Sequence, residues 1–184
     1  MELVVPAAEH LDSYVAALDR GWSPDTHRPE KGAEDRRAIA DDPAAFVVRI
    51  TVPSAEGTVR FPDGTDRPRV PGFHRWLWDG EFCGGINLRW VPGAGADLPS
   101  HVPGHIGYGV VPWKQRRGYA TRALALLLPE ARALGLPYVD LTTDDDNLAS
   151  QKVIEANGGV LVATGETRPE LGVTCGRRYR IALT

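Results

Sequence analysis

The sequence predicts an α+β domain in which helices pack on both faces of a mixed, mostly antiparallel and twisted sheet. Three features lead there. Asp79-Gly80 stands between two aromatic and aliphatic runs, the strongest short-range signal for a β-hairpin. A strand-like run from His105 to Val111 enters a basic turn and then a stretch with a helical period. Further short strands follow, and no internal repeat recurs. With 184 residues the chain suits one domain spanning 1–184.

Leu3 to Val5 reads as a short strand. Ala8, Leu11, Val15 and Leu18 recur at spacings of three and four, which predicts an amphipathic helix. The charged stretch Glu30 to Asp42 suits a second helix, whereas Phe46 to Val52, ending at Pro53, alternates loosely like a strand. From Pro53 to Gly72, four prolines and three glycines sit among charges without a hydrophobic period. A loop or flap over about 53–72 is expected there. Phe73 to Trp78 and Glu81 to Val91 form the hairpin, with Gly84 and Gly85 marking a bulge or close backbone approach. Pro92 to Gly104 is a second glycine-rich loop. After Pro112, residues Ala120, Ala123, Leu124, Leu127, Leu128, Ala131 and Leu134 share one helical face, closed by Gly135. Pro129 inside it should kink the helix or cost about 3 kcal/mol. Tyr138 to Thr143 is then a strand, and Asn147 to Asn157 a short helix capped by Asn147 and stopped by Gly158-Gly159. Val160 to Ala163 and Tyr179 to Leu183 supply the last strands.

Composition removes several function classes. A net charge of −3 argues against general nucleic-acid binding, which needs a basic stripe. The longest apolar run, Ala123 to Leu128, is far short of the ~20 residues that span a bilayer. The N-terminus shows no basic segment followed by an apolar one, so a cytoplasmic location is expected. Cys83 and Cys175 lie far apart and are expected as buried thiols. His101 and His105 are separated by Pro103 and Gly104, which excludes a helical zinc pair; no metal is expected.

The segment that carries chemistry runs from His105 through Val111 and Pro112-Trp113-Lys114 into Gln115-Arg116-Arg117-Gly118-Tyr119-Ala120. A helix start presents unpaired backbone N–H groups and partial positive charge, which suits an anion. Lys114, Arg116 and Arg117 flank it, and Gly118 lets a ligand approach the backbone. A phosphate or pyrophosphate ligand is implied. The turn lacks both the Walker and the dinucleotide-binding glycine patterns.

Gln115-x-x-Gly118-x-Ala120 resembles the [QR]-x-x-G-x-[GA] pattern of the GNAT acetyltransferases, and Asn147-Leu148-Ala149-Ser150 resembles their N-x-x-[AS] pattern. The resemblance covers about Phe73 to Leu183. Within that superfamily, His105-Ile106-Gly107-Tyr108, Asn157-Gly158-Gly159 and Arg178-Tyr179 look like a bacterial group of predicted acetyltransferases. It implies the GNAT fold and, as co-substrate, acetyl-CoA held by Tyr108, Gly109, Val110, Gln115, Arg116, Arg117, Gly118, Tyr119, Ala120, Thr121, Asn147 and Ser150. In that family the helix start grips the pyrophosphate, while the strand at Tyr108-Gly109-Val110 pairs with the pantetheine arm. The activity implied is acetyl transfer to a primary amine, small molecule or peptide, by direct attack in a ternary complex. A homodimer is left open, as is the alternative of a non-catalytic acyl-CoA-binding module.

Two family positions depart from the pattern. Ile154 stands where many members carry a tyrosine acid, and Gly104 where some carry a glutamate base. Polar candidates for catalysis are therefore His105, Tyr108 and Ser150, with Glu81, Asn87 and Arg89 nearby. His105 suits a base at neutral pH. Arg89 suits a substrate carboxylate.

Overall fold

The structure, a computed structural model, describes residues 1–61, 63–168 and 173–183, with the side chain of Cys175 outside the described residues. In chain order come strand β1 (Glu2–Val4), helices α1 (Leu11–Asp19), α2 (Lys31–Asp41) and α3 (Pro43–Thr51), and the two-stranded ribbon β2 (Thr58–Arg60) and β3 (Asp66–Pro68). The hairpin β4 (Gly72–Trp78) and β5 (Phe82–Arg89) leads to β6 (Ile106–Val110) and the long helix α4 (Tyr119–Ala133). Strand β7 (Tyr138–Asp144), helix α5 (Leu148–Glu155) and strands β8 (Val160–Arg168) and β9 (Val173–Ala182) complete the chain.

The strands form two main sheets, ordered β1-β4-β5-β6 and β7-β9-β8, and their ladders are antiparallel. Helices cover both faces. Leu124, Leu127 and Ala131 of α4 bury against Leu77, Ile86, Leu88, Val139 and Leu141 from both sheets. On the opposite face, Leu11, Tyr14, Ile39 and Phe46 of the first three helices close over Trp76 and Phe82. The periodic stripe of α4 thus builds the main core, although Leu134 at its end is exposed. The helix runs on through Pro129. The carbonyl that Pro129 leaves without an N–H belongs to exposed Ala125, where water can satisfy it.

Two sequence expectations change. Residues 46–52 are largely helical: Asp42 accepts the Ala45 N–H at 2.9 Å as N-cap, and Pro43 occupies the first turn. The loose alternation suggested a strand, but Phe46, Val47 and Ile50 all pack inward along one helical face, and burial outweighs that pattern. The proline-rich segment is also less irregular than expected. It folds into the β2–β3 ribbon, pinned where the Arg69 N–H donates to the Gly57 carbonyl at 3.1 Å.

Glycine is required where backbones converge. A Cβ on Gly84 would lie 2.1 Å from the Gly109 carbonyl oxygen, which accounts for a glycine inside β5. Gly104 meets the same limit at the seam of the two sheets, where a Cβ would lie 2.7 Å from the Asp140 carbonyl oxygen.

Candidate active site

Strands β6 and β7 touch at one end and part toward the other. At the touching end the His105 N–H donates to the Asp140 carbonyl at 2.7 Å, and the Asp140 N–H donates to His105 Nδ1 at 2.9 Å. Beyond this clasp the sheets are separate. On β6, the His105 carbonyl accepts from Arg89 and the Val111 N–H donates to Cys83, so odd-numbered residues pair with β5. Alternation then directs the backbone groups of Ile106, Tyr108 and Val110 away from β5, into the gap. The gap belongs to a cleft of about 1100 Å³ that also reaches the opposite face of the β4–β6 sheet.

The start of α4 follows Gln115, which lines the cleft, although residues 116–121 are not among its lining. Gly118 is the N-cap of α4, in the left-handed region at φ 74°, and a Cβ there would meet nothing within 4 Å. The first intrahelical bond runs from the Arg122 N–H to the Gly118 carbonyl at 3.0 Å. The N–H groups of Tyr119, Ala120 and Thr121 therefore have no acceptor among the described residues. Arg116 and Arg117 stand exposed beside them, Arg116 itself with a positive φ of 62°. Lys114 does not join them, because Asp79 and Glu81 hold it at 3.0 and 2.7 Å. The Tyr119 hydroxyl is likewise committed, donating to Asp79 at 2.6 Å, and Gln115 Nε2 donates to the Val110 carbonyl at 3.2 Å. What Tyr119 offers a ligand is its backbone N–H.

Across the gap, Asn147 caps α5 by accepting the Ser150 N–H at 3.0 Å, and its amide nitrogen has no acceptor among the described residues. Ser150 Oγ lies 2.8 Å from the Tyr108 hydroxyl, a contact between β6 and α5. Burial pushes the Tyr108 phenol up to about 12, although the Ser150 contact pulls it back slightly. Tyr108 is protonated at neutral pH. Gly109 contributes differently from its neighbours: its backbone pairs with Gly85, and a Cβ on it would come 3.9 Å from Trp22 on the cleft wall.

The geometry moves His105 away from the role its position suggested. The residue is 1% exposed, packed at the strand clasp, and absent from the cleft lining. Burial lowers its pKa, against the raising effect of Asp140. With Nδ1 accepting a backbone N–H, the neutral ring carries its proton on Nε2. The absent glutamate has a related cause, since the Asp140 carbonyl leaves no room for a side chain at Gly104. Ile154, the other departure, is fully buried in the main core. His101 contacts the Pro68 carbonyl at 3.0 Å instead of pairing with His105.

Three further site features take their place only from the fold. Thr143 of β7 lines the cleft with a buried Oγ1 that has no partner among the described residues. Asn157 donates to the Thr121 and Val153 carbonyls at 3.2 and 2.8 Å, fastening the start of α4 to α5. The third is a polar row across the sheet, where His74, Asn87 and Gly107 stand in register on β4, β5 and β6. Arg89 lies two residues along from Asn87, on the same face. Burial drives the His74 imidazole down to about 4. The expected polar neighbours Asn87 and Arg89 thus line the cleft, whereas Glu81 is exposed and paired with Lys114.

The model of the acetyltransferase (GNAT) family matches residues 25–158. No curated protein matches the sequence. Among solved structures, the chain is similar to the microcin C7 self immunity acetyltransferase MccE in complex with acetyl-CoA and AMP. That match has 12% identity and a TM-score of 0.63, covering 98% of this chain and 91% of that one. It is also similar to RimL, the ribosomal L7/L12 alpha-N-protein acetyltransferase in complex with coenzyme A. There the identity is 14% and the TM-score 0.62, over 98% of this chain and 92% of the other. A third is an acetyl transferase from Salmonella typhimurium that modifies the N-terminal serine of 50S ribosomal subunit protein L7/L12. It shares 15% identity at a TM-score of 0.61, over 98% and 93% of the two chains. Identities this low show the fold alone. The family match runs from the loop before α2 to Gly158 after α5, taking in the α4 start and the parted strands, and by it this chain belongs to the GNAT acetyltransferase family.

Proposed function

We propose that this protein transfers an acetyl group from acetyl-CoA to a primary amine by direct attack in a ternary complex. The observation that carries the reading is the start of α4, where three unpaired N–H groups open beside an unpaired strand edge. The pyrophosphate of acetyl-CoA fits those donors, with Arg116 and Arg117 adding charge. The pantetheine arm pairs with the backbone of Tyr108 and Val110 and meets the Asn147 amide and the Thr143 hydroxyl. The Asn147 amide nitrogen and the Thr143 hydroxyl have no partner among the described residues, whereas the Val110 carbonyl already accepts from Gln115.

The acetyl group then lies near Tyr108, and the amine reaches it from the face that carries Trp22, Asn87 and Arg89. The neutral amine nitrogen adds to the thioester carbon, the C–S bond breaks, and the ammonium proton leaves to water. A phenol near 12 is a weaker acid than a thiol of about 8.5. Tyr108, oriented by Ser150, therefore stabilises the departing thiolate by donating a hydrogen bond, while water supplies the proton. Most of the acceleration comes from holding amine and thioester together. His105 positions the two strands and takes no part in proton transfer.

The test is calorimetry with acetyl-CoA followed by thiol release with a panel of amines. Binding with turnover of at least one amine is expected. Tight binding with no thiol released by any amine would leave an acyl-CoA-binding module.

A further inference from the structure

Arg89 projects from β5 into the acceptor face of the cleft. Among the described residues its guanidinium makes no hydrogen bond and no ion pair, and its Nε is fully buried without a partner. The other arginines and lysines that line the cleft each have one: Arg28 pairs with Glu34, Lys31 and Arg49 pair with Asp35, Arg60 pairs with Asp66, and Arg69 donates to the Arg49 carbonyl. Keeping a half-buried guanidinium unpaired, with its Nε out of water, costs free energy, so a fold gains nothing by holding one there for stability. Room has been left for it. Arg89 Nη2 comes 3.1 Å from where a Cβ on Gly107 would stand, and the Asn87 amide 3.5 Å from the same point. Asn87 Oδ1 accepts the Gly107 N–H at 3.3 Å, which turns its NH₂ outward as a further donor.

From this we infer that the acceptor amine carries a carboxylate, which Arg89 and the Asn87 amide bind on the face of the sheet opposite Tyr108. A guanidinium fork matches a carboxylate in two parallel bonds. A phosphate dianion would want a second free cation, and Lys31 and Arg49 are already committed to Asp35. The buried surroundings that pull the Arg89 pKa down and hold His74 neutral would be relieved by a monoanion. The favoured substrates are free amino acids rather than amines without an acid group. This inference rests on the acetyl-transfer reading and names the acceptor class for it.

The test uses the full chain with CoA bound and needs no turnover. Calorimetry titrates this complex with the N-acetyl derivative of each proteinogenic amino acid, with the matching carboxamides, and with N-acetyl-O-phosphoethanolamine. At least one free acid should bind 100-fold more tightly than its carboxamide. Arg89→Met should abolish that preference, leave acetyl-CoA affinity within twofold, and raise Tm by a few degrees, because an unpaired cation has gone. Arg89→Lys should keep part of the preference, since it retains charge without the fork. Equal binding of acids and amides, no binding of either, tighter binding of the phosphate, or a preference that survives in Arg89→Met overturns the carboxylate site. Failure to bind CoA would instead overturn the acetyl-transfer reading, and the same titration of the free chain would still report on Arg89.

Discussion

Gly118 and Tyr108 belong to the two ends of the proposed acyl-CoA site. At Gly118 the left-handed φ of 74° disfavours any side chain, yet the space beside it is empty of protein. A glutamate there would fold with modest strain but place bulk and negative charge where the pyrophosphate is proposed to lie. Gly118→Glu is expected to weaken acetyl-CoA binding at least tenfold, about 1.4 kcal/mol, with circular dichroism unchanged; wild-type affinity by calorimetry would remove the phosphate assignment. Tyr108→Phe keeps the packing and loses only the hydroxyl that meets Ser150. Its kcat should drop by about 10- to 100-fold while acetyl-CoA affinity moves within a few-fold. An unchanged kcat would show that the thiolate departs without help from Tyr108.

At the scale of elements, the decisive feature is the clasp between β6 and β7. One imidazole and one peptide group join two sheets that otherwise diverge, and the site exists because they diverge. His105→Ala strands the buried Asp140 N–H, a loss of about 1–3 kcal/mol. His105→Asn offers an amide oxygen near the place of Nδ1 and should recover much of the Tm. The pH profile separates this positioning role from catalysis. If His105 only positions the strands, any fall of kcat/KM at low pH persists in His105→Asn. Disappearance of that limb would return the imidazole to catalysis.

For the whole molecule, two histidines set the acid limit of stability. His74 is held down to about 4, and His105 is also lowered, chiefly by burial in both cases. Between about 4, for His74, and the ordinary value near 6.5, the unfolded chain binds a proton that the folded chain refuses, and His105 acts in the same direction. Their contribution is complete above about 6.5 and is lost as pH falls toward 4. Scanning calorimetry from pH 7 to 5, above the range where most carboxylates titrate, should show Tm declining. His74→Leu should flatten that slope. A Tm constant over this window would mean that neither imidazole is shielded as the fold implies.

The features legible in the sequence were those that neighbouring residues decide among themselves. Asp79-Gly80 turns the chain because glycine accepts φ 104° at Gly80, and Asn147 caps α5 through an atom three residues from its donor. The α4 stripe and the glycine at its start were visible for the same reason, and with them the proposed acyl-CoA end of the cleft. Residues 46–52 alternate loosely and so read locally as a strand, whereas packing of Phe46 over Tyr14 belongs to the tertiary fold. The acceptor end was hidden in a similar way. Tyr108 meets Ser150 across 42 positions, and His105 meets Asp140 across 35. Arg89 is exceptional only through the partners it lacks. Turns, caps and periods are short-range, so the amino-acid order alone determined them. Burial, pairing and protonation depend on which distant segments share a low-dielectric space, and the tertiary structure alone decided those.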